Sequence, residues 1–351
     1  MDQQSCNAYG VKTSKSEDSL FDNITKPKYD ITWRRRNSFN LSLNEFKIKS
    51  NVDDKDLDYL KYELLWSTHI NQRHPTQFRR MKNFNANMRS ILIDWMMEIC
   101  SVYRMQRNTF HLAMDYLDRY IGRVETVPSN RLQLLGITCI FIAAKLMEVS
   151  PPLTTELASL TDGACEATDI KTFEIEILSK LQWDMLPNTL NFWLYRYLSR
   201  WADLIQYRNS IAFFPKLWNY LFIKASLIID LCSLDKEIVL YPYSFIVAAI
   251  LYHILSPEKA YYVSGLTYEQ LESCLSWLTP FIAIANQELL LIFFRSDNDQ
   301  PLENIQITTD PNVEFVESYT IQTHYVDPVV LHDVYNFRDF QENQNLEAKR
   351  E

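Results

Sequence analysis

Met88-Arg89-Ser90-Ile91-Leu92-Ile93-Asp94-Trp95 is the stretch on which the reading of this chain turns. On a helix, Met88, Ile91, Leu92, Trp95 and Ile99 follow i, i+3, i+4, i+7 and i+11 spacing. Ile93, Met96, Met97 and Cys100 cover much of the remaining circumference. A surface helix needs one apolar face. Two faces place the helix inside the fold, or pack it on the core with an apolar strip left for a partner. Periodicity alone favours the core for Met88 and its neighbours.

Composition narrows the class. The chain has 351 residues, 47% of them hydrophobic, which is room for roughly two domains of ~100–200 residues. Six cysteines (Cys6, Cys100, Cys139, Cys165, Cys232, Cys274) lie far apart with no C-x-x-C. Neither a disulfide framework nor a zinc site is expected, and the thiols read as reduced core filler. Five glycines in the whole chain leave no phosphate-cradling loop; no metal, nucleotide or other cofactor is expected. The first thirty residues are polar and mixed in charge, unlike a secretory signal. The apolar runs Leu132–Ala144 and Tyr243–Tyr252 fall short of the ~20 residues of a membrane span, so no membrane partner is expected.

The net charge of −9 is unevenly placed. Residues 61–296 hold 22 basic and 22 acidic residues, whereas residues 297–351 hold 3 basic and 12 acidic. A neutral folded part argues against nucleic acid as a partner. Residues 1–56 and the acidic tail 297–351 are too polar to bury a core and are expected to be disordered. In the first of these, Lys26 with Lys28 and Arg34-Arg35-Arg36 form two basic islands of the kind a split nuclear-import signal uses.

Between these ends the pattern is helical. Segments are expected at Asp58–Trp66, 85–105, after Asn108 as N-cap, Leu132–Met147, Thr155–Leu160 and Thr168–Leu181. Pro187-Asn188 then marks a boundary to helices at 189–201, 215–232, 242–254 and 267–294. Leu132–Met147 is apolar all round and should be the buried centre of its domain; Pro151-Pro152 stops it. The fold class expected is all-α.

Two charges break the pattern. Lys145 is the only charge between Arg131 and Glu148. Glu174 fills an apolar slot among Ile170, Phe173, Ile177, Leu178 and Leu181. Opposite charges misplaced in neighbouring helices suggest a partly buried ion pair, serving either helix register or a partner-facing site.

The signature stretch, with Phe141-Ile142-Ala143-Ala144-Lys145-Leu146-Met147-Glu148-Val149-Ser150-Pro151-Pro152, Thr161-Asp162-Gly163-Ala164 and Leu181-Gln182-Trp183, resembles the cyclins in order and spacing, and among them the E type. The resemblance implies two tandem five-helix cyclin folds preceded by an N-terminal helix: residues 57–187 the N-terminal cyclin box and 188–296 the C-terminal fold. It implies a regulatory subunit, not an enzyme, that binds and activates a serine/threonine cyclin-dependent kinase at the G1/S transition. The protein would be nuclear, with a cytoplasmic fraction. Lys145, Glu174, Ile142, Leu146, Leu178 and Trp183 would meet the kinase. Met88, Ile91, Leu92, Trp95, Glu98, Leu132 and Gln133 would form a patch for substrates and inhibitors with arginine-x-leucine motifs. Apolar groups would take the leucine and Glu98 the arginine. Ser129 stands where many cyclins carry a basic residue, with Arg131 two places on. Arg89 and Asp94 are expected to form an internal structural pair.

Two other classes share parts of this pattern. A cyclin-fold transcription or scaffold adaptor without kinase activation shares the fold, and one that binds DNA would show a basic surplus. An all-helical enzyme finds no support, since none of the six histidines forms an H-E-x-x-H pair and Asp53-Asp54-Lys55-Asp56 lies in the expected disordered region. The tail lacks the Ser-Pro or Thr-Pro of an E-type degradation signal, and Thr279-Pro280 falls in an expected helix.

Overall fold

The computed structural model describes residues 85–209, 215–286 and 320–348. The expected helix Asp58–Trp66, the basic islands and the segment 297–319 lie outside the described residues. Eleven α-helices run in order among those described: α1 Ala86–Val102, α2 Arg107–Ile121, α3 Leu132–Met147, α4 Thr154–Ser159, α5 Ala167–Lys180, α6 Leu190–Asn209, α7 Pro215–Leu234, α8 Tyr243–Ile254, α9 Pro257–Ser264, α10 Tyr268–Ile284 and α11 Pro328–Ala348.

The most apolar helices sit in the middle, as the hydrophobic effect requires. α3 packs against α1, α2, α4 and α5, and α8 against α6, α7, α9 and α10. Leu135, Ile137, Cys139, Ile140 and Ala143 of α3, and Ile246 through Leu251 of α8, are fully buried. With the turn before it, α3 forms a 19-residue apolar helix (Ser129–Met147) long enough to cross a membrane; its place at the bundle centre accounts for that composition. Gly136 lets α1 approach α3: a Cβ there would sit 3.0 Å from Leu92 Cδ1 and 3.3 Å from Met96.

Helix ends depart from the sequence expectation where tertiary partners take over. Asn85 caps α1, its Oδ1 accepting from the Met88 amide at 2.8 Å. α2 starts after Gln106, not Asn108. The Glu148 carboxylate, arriving from the end of α3, accepts from the Gln106 amide at 2.8 Å and from the Thr109 hydroxyl. Asn108 instead ties the bundles together, its Oδ1 accepting from Thr189 and Asn191 at 3.1 Å each. α9 was not anticipated, although Ser256 as N-cap, Pro257 at the first position and Gly265 (φ 72°) just past the end carry the usual punctuation.

The Arg89–Asp94 pair expected from sequence does not form. Five helical positions turn the two side chains about 140° apart. Arg89, wholly buried, makes a bidentate pair with Asp118 of α2, both bonds 2.9 Å. Its Nη1 also donates to the carbonyls of Ser233 (2.7 Å) and Asp235 (3.2 Å). Ser233 lies in the last turn of α7 and Asp235 just past its end, so the guanidinium sits at the negative pole of a helix in the other bundle. Asp94 pairs with His324 Nε2 at 2.8 Å.

His324 belongs to the tail, and there the expectation of disorder fails for residues 320–348. Residues 320–327 form a strap across the α1–α2 junction. The Gln322 amide donates to the Met105 carbonyl at 2.8 Å, and Arg107 donates to the Thr323 hydroxyl at 2.8 Å. α11 then packs on α10, α7 and α1. Val326, Leu331 and Val334 are buried. Tyr335 donates to Asp235 at 2.9 Å, and Arg338 pairs with Glu237 at 3.5 Å. A helical stripe inside an acidic segment is invisible to a composition count: Leu331 and Val334 are buried while Asp333 and Asp339 stand exposed on the same helix.

Polar groups line the seam between the bundles. Arg107 pairs with Asp230 at 2.7 Å. Near it His111 is buried, with no hydrogen-bond partner for Nδ1 among the described residues. Burial, with Arg107 adding to it, pushes the imidazole down to about 3 from an ordinary 6.5. The unfolded chain therefore binds this proton below pH 6.5 while the folded chain refuses it, and stability is lost as pH falls from 6.5 toward 3. Between pH 7 and 5, His111→Leu is expected to lose about 2 kcal/mol less than the wild type. Urea titrations at the two pH values measure this, and parallel losses would reject it.

Candidate functional site

Two surface regions of the first bundle carry the residues singled out from sequence. The first lies where α3 ends beside α5. Lys145 reaches across and donates to Glu174, and its ammonium lies 4.4 Å from the centre of the Phe141 ring, one turn back on α3. The lysine side chain is 40% exposed and the glutamate 15%, so the pair sits at the rim of the bundle with its lysine end open.

Around this pair the surface is apolar. Leu146 is 48% exposed and Trp183 70%. Leu178 is half-buried against the core, while Ile142 is buried and supports the face from beneath. Spacing alone had missed Val149, Leu153, Ile175 and Leu186, each more than 60% exposed. Single exposed apolar residues are ordinary; here several stand on α3, α5 and the segments that follow those two helices, whose ends carry the ion pair. Val149 and Leu153 flank Pro151-Pro152, where the chain leaves α3, and the absence of helical periodicity there hid them.

The presentation of Trp183 is costly. Gln182 (φ 56°) and Trp183 (φ 59°) are consecutive left-handed residues, each disfavoured by roughly 1 kcal/mol for a side chain with a Cβ. The Trp183 amide donates to the Leu178 carbonyl at 3.0 Å, which closes α5 and turns the indole outward. Strain held at an exposed aromatic points to a role for it.

The second region is the outer stripe of α1. Ile91 is 55% exposed, Glu98 is exposed, and Met88, Trp95 and Leu132 are partly buried against the core. Leu92, at 5% exposure, forms the floor. Gln133, one residue into α3, is exposed beside Leu132. All seven residues lie on α1 or in the first turn of α3, and these two helices pack on each other. Arg131 turns away from them: its guanidinium lies 4.5 Å from the Phe173 ring centre and 3.9 Å from Glu176. Burial raises the Asp94 carboxyl pKa despite the bond from His324, with Asp327 and Glu98 adding to the rise.

Comparison with known proteins assigns the fold and the first bundle. Residues 61–186 match the family described as Cyclin, N-terminal domain. The chain is 36% identical over 251 residues to the G1/S-specific cyclin-E of Drosophila melanogaster, covering 68% of this chain and 35% of that protein. It is 38% identical over 240 residues to the G1/S-specific cyclin-E1 of Danio rerio, covering 67% of this chain and 54% of that one. The chain therefore spans between about a third and just over half of the length of these relatives. Among solved structures, a viral cyclin from herpesvirus saimiri superposes with a TM-score of 0.51 at 20% identity, covering 65% of this chain and 96% of that one. That likeness carries the all-α fold, and with the N-terminal cyclin domain matched through α1–α5, the chain belongs to the cyclin family.

Proposed function

We propose that this cyclin is the regulatory subunit of a serine/threonine cyclin-dependent kinase and acts at the G1/S transition, in the nucleus with a cytoplasmic fraction. The observation that carries the reading is the exposed apolar face around the Lys145–Glu174 pair, with Leu146, Leu178 and the outward Trp183. The cyclin-E relatives support the same partner class and stage. An apolar surface of this kind suits the helix of a partner, and the open end of the ion pair offers a charged group to its backbone. Docking would favour the kinase conformer in which its regulatory helix is turned inward and its lysine–glutamate pair and metal-binding aspartate are assembled. The work is done by differential affinity for that conformer. In this reading the catalytic groups are the kinase's; the second region of the chain, on α1, would hold arginine-x-leucine segments of substrates and inhibitors and raise their local concentration.

The test is reconstitution. The purified chain, mixed with a monomeric cyclin-dependent kinase of the cell-division class, is expected to raise phosphorylation of a histone peptide well above that of the kinase alone. Folded protein that activates no kinase of the class would overturn the reading.

A further inference from the structure

Serine or threonine precedes proline at three places in the chain: Ser150-Pro151, Ser256-Pro257 and Thr279-Pro280. Of these, Ser256-Pro257-Glu258-Lys259 alone carries a cation two residues after the proline. The structure separates the three as well. Thr279 lies inside α10, donates its hydroxyl to the Leu275 carbonyl at 2.8 Å, and is followed by a buried proline. Extending it into another protein's cleft would unfold that helix. Ser150 is exposed but has Leu153 three places on. Ser256 lies in the turn between α8 and α9 with extended backbone (φ 174°, ψ 161°), and the proline after it disfavours the helical alternative. Pro257, Glu258 and Lys259 are exposed, and the first buried residue of α9 is Ala260. The first turn of this eight-residue helix can therefore open without drawing a buried side chain out of the core. Opening gives up the 3.3 Å bond from the Lys259 amide to the Ser256 hydroxyl and the 3.0 Å bond from the Ala260 amide to the Ser256 carbonyl.

We propose that Ser256 is a phosphorylation site for a proline-directed serine/threonine kinase. Such an enzyme accepts proline beside the acceptor because proline brings no amide donor to leave unpaired in an apolar pocket. Lys259 supplies an ammonium for an acidic group of the cleft. The Ser256 Oγ attacks the γ-phosphorus of magnesium-bound ATP. The new O–P bond forms as the bond from that phosphorus to the β–γ bridging oxygen breaks, the hydroxyl proton passes to the kinase's catalytic aspartate, and ADP leaves. When the turn closes again, the phosphate stands at the start of α9, where the free amides and the helix dipole favour an anion. Lys259 is the third residue of that helix, the position whose side chain meets the capping residue. Modification thus steadies a helix end that a cation at the positive pole leaves weak.

The test incubates the full chain with magnesium, ATP and a cyclin-dependent kinase already held active by its own cyclin, so the outcome does not depend on whether this chain activates a kinase. Phosphate is located by peptide mass spectrometry. Ser256 is expected to be modified faster than Ser150 or Thr279, and Lys259→Ala should slow that transfer about tenfold. Hydrogen exchange at the α9 amides should then be about threefold slower in the modified chain than in the unmodified one. Because the site is mapped on the wild-type chain, the result does not rest on a variant's folding. No phosphate on Ser256, or transfer to Ser150 or Thr279 at an equal or higher rate, overturns the assignment. A rate unchanged by Lys259→Ala removes the role given to that cation, and exchange at α9 that stays the same or quickens removes the capping role of the phosphate.

Discussion

Arg89→Ala is expected to destabilise the protein by about 3–5 kcal/mol, the usual cost of removing one partner of a buried ion pair. Arg89 is wholly buried and Asp118 nearly so, at 0% and 4% side-chain exposure. Alanine would leave the Asp118 carboxylate uncompensated and strip the Ser233 and Asp235 carbonyls of a donor. Arg89→Lys should rescue little, because one ammonium cannot serve a bidentate carboxylate and a helix end together. Arg89→Met with Asp118→Leu should recover most of the loss, since an apolar pair leaves no buried charge. Asp94→Asn, in contrast, should cost under about 1 kcal/mol, as its pair with His324 is partly exposed. Urea unfolding gives the midpoints. A loss for Asp94→Asn matching that of Arg89→Ala would contradict the assignment of the structural pair.

Kinase activation is expected to fall by about 100-fold in Lys145→Ala with Glu174→Ala, and by a similar factor in Trp183→Ala, at unchanged fold. Central aromatic and charged contacts of an interface commonly cost about 2 kcal/mol or more when truncated, and about 3 kcal/mol is a hundredfold in affinity. The same substitutions should move stability by no more than about 1 kcal/mol, because the pair lies at the rim with its lysine exposed and Trp183 makes most of its surface available to solvent. That separation is the informative part. A structural role for the pair predicts a lowered melting temperature with activation intact, and an interface role predicts the reverse. Activation retained by both variants in a folded state would remove this face from the proposed function.

The periodic parts of the molecule were legible in the chain because helix period and burial are local. α1, α2, α3, α5, α7 and α8 lie near their expected positions, and the two helices apolar all round, α3 and α8, are the two bundle centres. The oddly placed Lys145 and Glu174 were legible for the same reason. A charge in an apolar slot needs a counter-charge, and the neighbouring helix held one. Val149, Leu153 and Leu186 were not legible, since outside regular helices no spacing rule separates an exposed apolar residue from a buried one. Trp183 could be marked for the kinase only by resemblance; pattern alone favoured the core no less than the surface. Its exposure follows from two left-handed residues that a non-glycine sequence does not announce.

By itself, the sequence determined the all-α class, the helical segments and the family to which they belong, because these follow from side-chain periodicity and from motifs read along the chain. The tertiary structure alone decided what Arg89 holds. Its partners, Asp118 and the α7 carbonyls, lie 29 and about 145 residues away, and the nearer carboxylate, Asp94, points elsewhere on the helix. It also decided that residues 320–348 lie folded against both bundles rather than free. A weak apolar stripe in an acidic segment becomes a docked helix only when another surface offers Asp235, Glu237 and the Met105 carbonyl in matching places. Burial and long-range pairing depend on every element at once, and no window of local sequence contains them.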